Sequence, residues 1–244
     1  MDLYKESANL IRNSKKTVAF TGAGISVESG IPTFRGPNGL WSRYDPKILD
    51  IDYFTLHTKE AWQKIKEIFY DYMQNVKPNT AHYFLAELEA KNMLTAVITQ
   101  NIDNLHQEAG SKNVIEFHGT AKNLVCMNCY KKYDKDEIDL SDLPPVCPSC
   151  WGVLKPDFVF FKEPIPKKAL EQSLILAQEC DLMIIIGTTG EIQPASQIPV
   201  LAKQNGAKII EINIEKSNYT DTITDIFLQD KATVCAKELK KALF

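Results

Sequence analysis

Residues 17–24 read Thr17-Val-Ala-Phe-Thr-Gly-Ala-Gly24. A short apolar run of strand length empties directly into two glycines. The same design recurs three times. Thr95–Thr99 runs into Gln100-Asn101-Ile102-Asp103, Leu182–Ile186 into Gly187-Thr188-Thr189, and Lys208–Ile212 into Asn213. Each run is continuously apolar rather than alternating, and each follows a segment of helical period. Strands buried on both faces that alternate with helices predict a parallel α/β sheet. In open α/β sheets ligands bind beyond the carboxyl ends of the strands. Four polar strand ends therefore converge on one expected ligand site.

The helical segments lie between these strands. Leu3, Tyr4, Ala8, Leu10 and Ile11 share a face over residues 3–12. Apolar residues from Ala61 to Val76 recur at helical spacing, which predicts one amphipathic helix over Thr58–Val76. Ala81, Phe84, Leu85 and Leu88 predict another over Thr80–Ala90. Two stretches break the alternation, residues 36–76 and the cysteine-rich residues 120–157. Both read as insertions that together form a smaller domain. The larger domain then comprises residues 1–35, 77–119 and 158–244.

Composition narrows the function classes. The 244 residues carry 28 Lys+Arg and 31 Asp+Glu, a net charge of −3, so bulk electrostatics offers no hold on nucleic acid or an anionic membrane. Leu182–Ile186 is the longest strongly apolar run, far short of the roughly 20 residues that span a bilayer. The polar N-terminus has no signal-peptide character, so a cytoplasmic, reducing location is expected.

That expectation bears on the six cysteines. Cys126-Met-Asn-Cys129 and Cys147-Pro-Ser-Cys150 are two Cys-x-x-Cys knuckles separated by 17 residues, the pattern of a tetrahedral zinc site. Disulfides or a redox pair are the competing reading. Four thiolates leave no open coordination position, so such a zinc is structural. Cys180 and Cys235 lie beside apolar segments and read as buried, inert thiols.

The glycine loop alone is ambiguous. The usual dinucleotide fingerprint has a third glycine where Val27 stands, so a tight turn without a ligand is also open. Of the four histidines, His82 and His106 fall in helical patterns and read as structural. His118, before Gly119 at the edge of an insertion, is the candidate general base at a cleft between domains.

Taken in order, Gly22 to Gly36 (GAGISVESGIPTFRG), Thr99-Gln-Asn-Ile-Asp103, His118-Gly119, the four cysteines, Gly187-Thr188-Thr189 and Asn213 resemble the sirtuin family, the NAD-dependent protein-lysine deacylases. The resemblance is to the prokaryotic type, catalytic core only. It implies a Rossmann-like large domain, with a small domain made of a zinc ribbon and a helical insertion. NAD and an acyl-lysine peptide would meet between them.

By this resemblance Gly22, Ala23 and Gly24 would hold the pyrophosphate, Phe34 would screen the ribose, and Arg35 would lie near the phosphates. Gln100 and Asn101 would bind ribose and an ordered water, and Ile102 and Asp103 the carboxamide. Gly187, Thr188, Thr189 and Asn213 would take the adenosine side, with Ala232 near the adenine. His118 would be the base that deprotonates a ribose hydroxyl, with Asn101 beside it. Val159-Phe160-Phe161 and Gly190-Glu191-Ile192 would flank the peptide.

Two departures from the family pattern stand out: Thr33 replaces a common Asp, and Lys162 replaces a common Gly. Lys162 would bring a positive charge to the peptide edge and a modest preference for acidic neighbours of the acyl-lysine. Family members that remove acidic acyl groups carry Tyr-x-x-Arg in the small-domain helix. Here that pattern aligns with Tyr70 and Met73, which predicts neutral acyl substrates. An NAD-dependent ADP-ribosyltransferase is the alternative activity. A nucleic-acid-binding zinc ribbon is disfavoured, because residues 120–156 carry five basic and five acidic side chains.

Overall fold

The computed structural model describes residues 2–36, 39–72 and 75–244. All four expected strands are present: β1 (Thr17–Thr21), β2 (Ala96–Thr99), β7 (Leu182–Ile186) and β8 (Lys208–Asn213). They belong to a six-stranded parallel sheet completed by β3 (Val114–Glu116) and β9 (Ile226–Gln229), in the order β3-β2-β1-β7-β8-β9. The two edge strands escape pattern reading for a physical reason. They are three and four residues long and only partly buried, so their apolar runs stop at two and three residues.

Alternate residues of the central strands serve opposite faces. Ala19, Val97, Ile184 and Ile210 join a core with α1 (Leu3–Asn13), α4 (Thr80–Ala90) and α8 (Ala232–Leu243). Val18, Phe20, Ile98, Met183 and Ile209 pack on the other side against α6 (Lys167–Glu179) and α7 (Gln197–Gln204). Strand order reverses between β1 and β7, the switch point where such sheets open a crevice.

A second core lies beyond that crevice. It joins the helical residues Phe54, Trp62, Ile65, Ile68 and Phe69 to Cys147 and to Leu124, Cys126 and Leu154 of a three-stranded antiparallel sheet. That sheet contains β4 (Gly119–Cys126), β5 (Lys132–Asp134) and β6 (Leu154–Phe158), in the order β5-β4-β6. Trp62 Nε1 donates to the Leu154 carbonyl at 2.8 Å, which ties helix to ribbon. The predicted helix over Thr58–Val76 is not one regular element. An α-helix, α3 (Thr58–Ile65), passes into a π-helical turn over Lys66–Asp71. The extra residue per turn rotates every later side chain away from its 3.6-period position.

Candidate functional site

The crevice is a cleft of about 290 Å³ between the sheet's carboxyl edge and the second core. At its floor, the loops after β1 and β7 are in contact. Gly22 N–H donates to Ile186 O at 3.0 Å and Gly24 N–H to Gly187 O at 2.8 Å. A Cβ on Gly24 would sit 2.5 Å from Gly187 Cα, and Gly187 itself holds φ +65°. Glycine is therefore required here by close backbone approach, and that approach leaves a bare main-chain cradle open to a phosphate-bearing ligand. The segment after it, Ala23–Ser29, is a 3-10 helix and not the α-helix of a dinucleotide fingerprint. The missing third glycine at Val27 reflects this different geometry.

The β2 end supplies the polar wall. Gln100 Nε2 donates to Thr188 Oγ1 at 3.1 Å, bridging the two loops. Asn101 is buried. Its Nδ2 donates to Gly22 O at 3.2 Å and to Ser26 Oγ at 3.1 Å. Ser26 Oγ in turn donates to Asp103 Oδ2 at 2.7 Å, and Leu105 N–H caps the other carboxylate oxygen at 3.0 Å. Burial pushes the Asp103 carboxyl above its usual range, against the pull of these hydrogen bonds.

His118 closes this side. Its Nδ1 lies 3.0 Å from the Gln100 carbonyl. A carbonyl only accepts, so Nδ1 carries the proton and Nε2 keeps a free lone pair. Burial, partly countered by that carbonyl, lowers the His118 pKa, so the ring is neutral at pH 7. Neutral, half-buried and on the cleft wall, it has the form of a general base.

Of the residues expected to bind, Gly22, Ala23, Gly24, Phe34, Arg35, Gln100, Asn101, Ile102, His118, Val159, Phe160, Phe161, Gly187, Thr188, Thr189 and Ile192 line the cleft. Others stand behind it. Asn213 Nδ2 donates to Thr188 O at 3.0 Å and so braces the loop. Gly190 packs against the Tyr219 ring, Glu191 is exposed, and Ala232 begins α8 within the core of the large sheet. Trp41, Leu49 and Phe158 also line the cleft and were not anticipated. Trp41 packs on Phe34 with ring centroids 5.4 Å apart and on Phe161 at 6.4 Å.

His82 is buried and neutral, its pKa pushed down to about 4. Its Nδ1 accepts from Asn79 N–H at 3.2 Å, which leaves Nε2–H facing Ser26 Oγ at 3.4 Å. It stands one hydroxyl away from Asn101 and Asp103. Helical periodicity cannot reveal that link, because it depends on the fold of Ala23–Ser29.

The four cysteine sulfurs lie within 4.8 Å of one another, and all six thiols are free. Cys126 and Cys150 Sγ are 3.5 Å apart, Cys129 and Cys147 Sγ 3.7 Å. Zinc at about 2.3 Å from four tetrahedral sulfurs spaces them by about 3.8 Å. The cluster fits a closed, structural zinc site.

Comparison with known proteins agrees with this geometry. The Sir2 family matches residues 22–194. A Pyrobaculum aerophilum protein named NAD-dependent protein deacetylase 1 is 47% identical over 95% of this chain and 91% of its own length. An Aeropyrum pernix NAD-dependent protein deacylase is 44% identical over 100% and 98%. A solved structure titled Sir2-p53 peptide-NAD+ superposes with a TM-score of 0.91 at 38% identity, covering 99% of this chain and 98% of that one. The chain belongs to the Sir2 family.

Two expectations for this sirtuin need correction. Tyr70 does not line the cleft. Its ring stacks on Trp62 with centroids 5.9 Å apart, and its hydroxyl is buried without a partner. It borders a separate hollow of about 260 Å³ with Lys135, Asp136, Ile138 and Leu140. Phe69, one residue earlier, is buried behind two cleft-lining rings, with its centroid 6.4 Å from Phe34 and 5.2 Å from Phe158. Met73 lies outside the described residues.

The second correction concerns Lys162. It holds φ +73°, a left-handed conformation, which explains why sirtuins commonly carry glycine there. Its Nζ contacts Asp50 Oδ2 at 2.8 Å and Asp52 Oδ2 at 2.6 Å. This contact holds the Asp50 carboxyl below its usual range. The lysine charge is thus opposed by two carboxylates, which weakens the expected pull on acidic peptides. A peptide array should show less than about twofold preference for either charge beside the acyl-lysine. Lys162→Gly should leave kcat/KM within about threefold, because exposed ion pairs are worth at most about 1 kcal/mol. An acidic preference above about fivefold that disappears in Lys162→Gly would restore the original reading.

Proposed function

We infer that this sirtuin is an NAD-dependent protein-lysine deacylase that releases nicotinamide and passes the acyl group to ADP-ribose. The observation that carries this reading is His118, neutral and with Nε2 free, in one cleft with the Gly22–Gly24 and Gly187 cradle. The relatives' names carry the same activity. NAD supplies the electrophilic ribose carbon and the ribose hydroxyl that receives the acyl group. The chain's own residues do the rest. The glycine cradle and Arg35 hold the diphosphate. Among the described residues lining the cleft, Arg35 is the only lysine or arginine, which suits that anionic group. Thr188 and Thr189, braced by Asn213, serve the adenosine side. Gln100 and Asn101 orient the ribose, and Ile102 with Asp103 the nicotinamide amide. Phe34 and Trp41 keep water from the reacting carbon, and His118 removes the hydroxyl proton.

The small unit that closes the cleft is taken as residues 36–76 and 120–157, supported by their shared core. The protein substrate presents acyl-lysine along Val159–Phe161 and the Gly190–Ile192 loop. A reducing, cytoplasmic setting suits four zinc-binding thiolates. No helix among the described residues is long and apolar enough to cross a membrane.

The acyl group is a neutral one, acetyl or a longer chain. The cleft wall is rich in Phe34, Trp41, Ile102, Phe158 and Val159, and its one cation is committed to phosphate. Burying an unpaired carboxylate there is strongly unfavourable. Incubating the protein with NAD and acetyl-, butyryl- and succinyl-lysine versions of one peptide, with products read by mass spectrometry, tests both points. Acylated ADP-ribose is expected, with kcat/KM for succinyl-lysine lower by about 100-fold, taking roughly 3 kcal/mol for a missing charged hydrogen bond. A peptide that gains ADP-ribose would support the transferase reading. Succinyl-lysine turned over as well as acetyl-lysine would overturn the neutral-acyl assignment.

A further inference from the structure

Lys155 is 6% exposed, an unusual place for an ammonium group. Burial lowers its pKa, and the position is tolerable only because every direction around Nζ is filled. Nζ donates to Phe158 O at 2.8 Å, to Pro156 O at 3.0 Å and to Glu163 Oε2 at 3.0 Å. It also sits 4.0 Å above the Phe160 ring centroid, a cation–π contact. The same Glu163 oxygen accepts the Phe160 N–H at 2.7 Å.

One half-buried ion pair therefore captures main-chain groups on both sides of Val159. Val159 itself donates its N–H to the His118 carbonyl at 2.8 Å, and its own carbonyl has no partner among the described residues. Phe158, Val159, Phe160 and Phe161 all face the cleft. A peptide that adds as a strand gains affinity from main-chain hydrogen bonds, so it depends on the aim and register of the edge it meets. With Phe158 O and Phe160 N–H already taken, Val159 O is left as the open acceptor.

We propose that Lys155 and Glu163 are positioning residues for the substrate peptide: their ion pair fixes the backbone of residues 156–163 and so sets the register in which the peptide docks. This rests on the deacylase reading above. It goes further in assigning a substrate role to two residues that the peptide need not touch. The glycine loops lie apart from this pair, and the His118 main chain meets its segment through the single Val159 N–H bond, so the two substrates should respond differently.

The test compares wild type with Lys155→Met, Lys155→Arg, Glu163→Gln and Glu163→Ala, all zinc-loaded and checked for folding by thermal melting. Two quantities are read: the KM values for NAD and for an acetyl-lysine peptide, and the Kd of a fluorescent version of that peptide titrated directly. The expected result is a rise of about 10-fold or more in peptide KM and Kd for Lys155→Met and Glu163→Ala, with NAD KM within twofold. Lys155→Arg should recover most of the loss. If Lys155→Met does not fold, Glu163→Ala decides, since Glu163 is the more exposed partner. Peptide Kd within twofold of wild type in folded Glu163→Ala overturns the proposal, as does a parallel rise in both KM values. Absence of NAD-dependent deacylation in the wild type would instead count against the deacylase reading, which the binding titration keeps separate.

Discussion

His118→Ala should lower the rate of acyl removal by about 100- to 10,000-fold, the usual worth of a positioned general base. The variant should keep its fold and its zinc. The His118 side chain makes one hydrogen bond, to the Gln100 carbonyl, and contributes a half-buried ring beside Phe117. Neither contact is large enough to decide folding. The pH dependence gives an independent check. Burial lowers the His118 pKa below the ordinary histidine value of about 6.5, so the ring is in its basic form at neutral pH. Activity should hold as pH falls from 8 to the ordinary histidine range and decline only below it, as the ring protonates. His118→Ala should lose that acidic limb along with the rate. A variant within a few-fold of wild type would remove His118 from the chemistry. An acidic limb centred well above 6.5 would contradict the neutral, buried ring.

Removing zinc should cost still more of the structure. Cys126 and Cys147 are fully buried members of the second core, beside Trp62, Leu124 and Leu154. Without a metal, four thiols gathered within 4.8 Å of one another lose what holds them. Structural zinc can carry roughly 10 kcal/mol of local folding free energy, comparable to the whole stability of a typical domain. A chelator, or Cys147→Ala, should therefore melt the β4–β5–β6 ribbon. It should also free the Trp62 indole from the Leu154 carbonyl, and it should abolish activity although no cysteine lines the cleft. The large parallel sheet has its own two cores and should survive. Metal analysis, tryptophan fluorescence and circular dichroism read these outcomes. Freshly purified protein without zinc, or Cys147→Ala with unchanged fluorescence and activity, would show that the ribbon stands on packing alone.

What the sequence by itself determined follows from interactions local in the chain. Four continuous apolar runs, each ending in Gly, Gln, or Asn, dictated a parallel sheet and a ligand site at its carboxyl edge. Two Cys-x-x-Cys knuckles dictated a zinc cluster, because thiolate spacing within a knuckle is a matter of a few bonds. His118 before Gly119 was legible as a candidate base from its position at the edge of an insertion.

Other features required elements distant in sequence to meet. The short edge strands β3 and β9 have too few buried residues to announce themselves, and only pairing with β2 and β8 defines them. Trp41 joins the cleft through contact with Phe34 and Phe161, the latter 120 positions further along. Tyr70 borders a separate hollow with Lys135, Asp136, Ile138 and Leu140, residues at least 65 positions further along. The charge on Lys162 looked free until Asp50 and Asp52 came to meet it. The tautomer of His118 is set by a carbonyl 18 residues upstream. In each case the deciding interaction is a side-chain or main-chain contact across the fold, whose energy depends on a distance that no periodicity encodes.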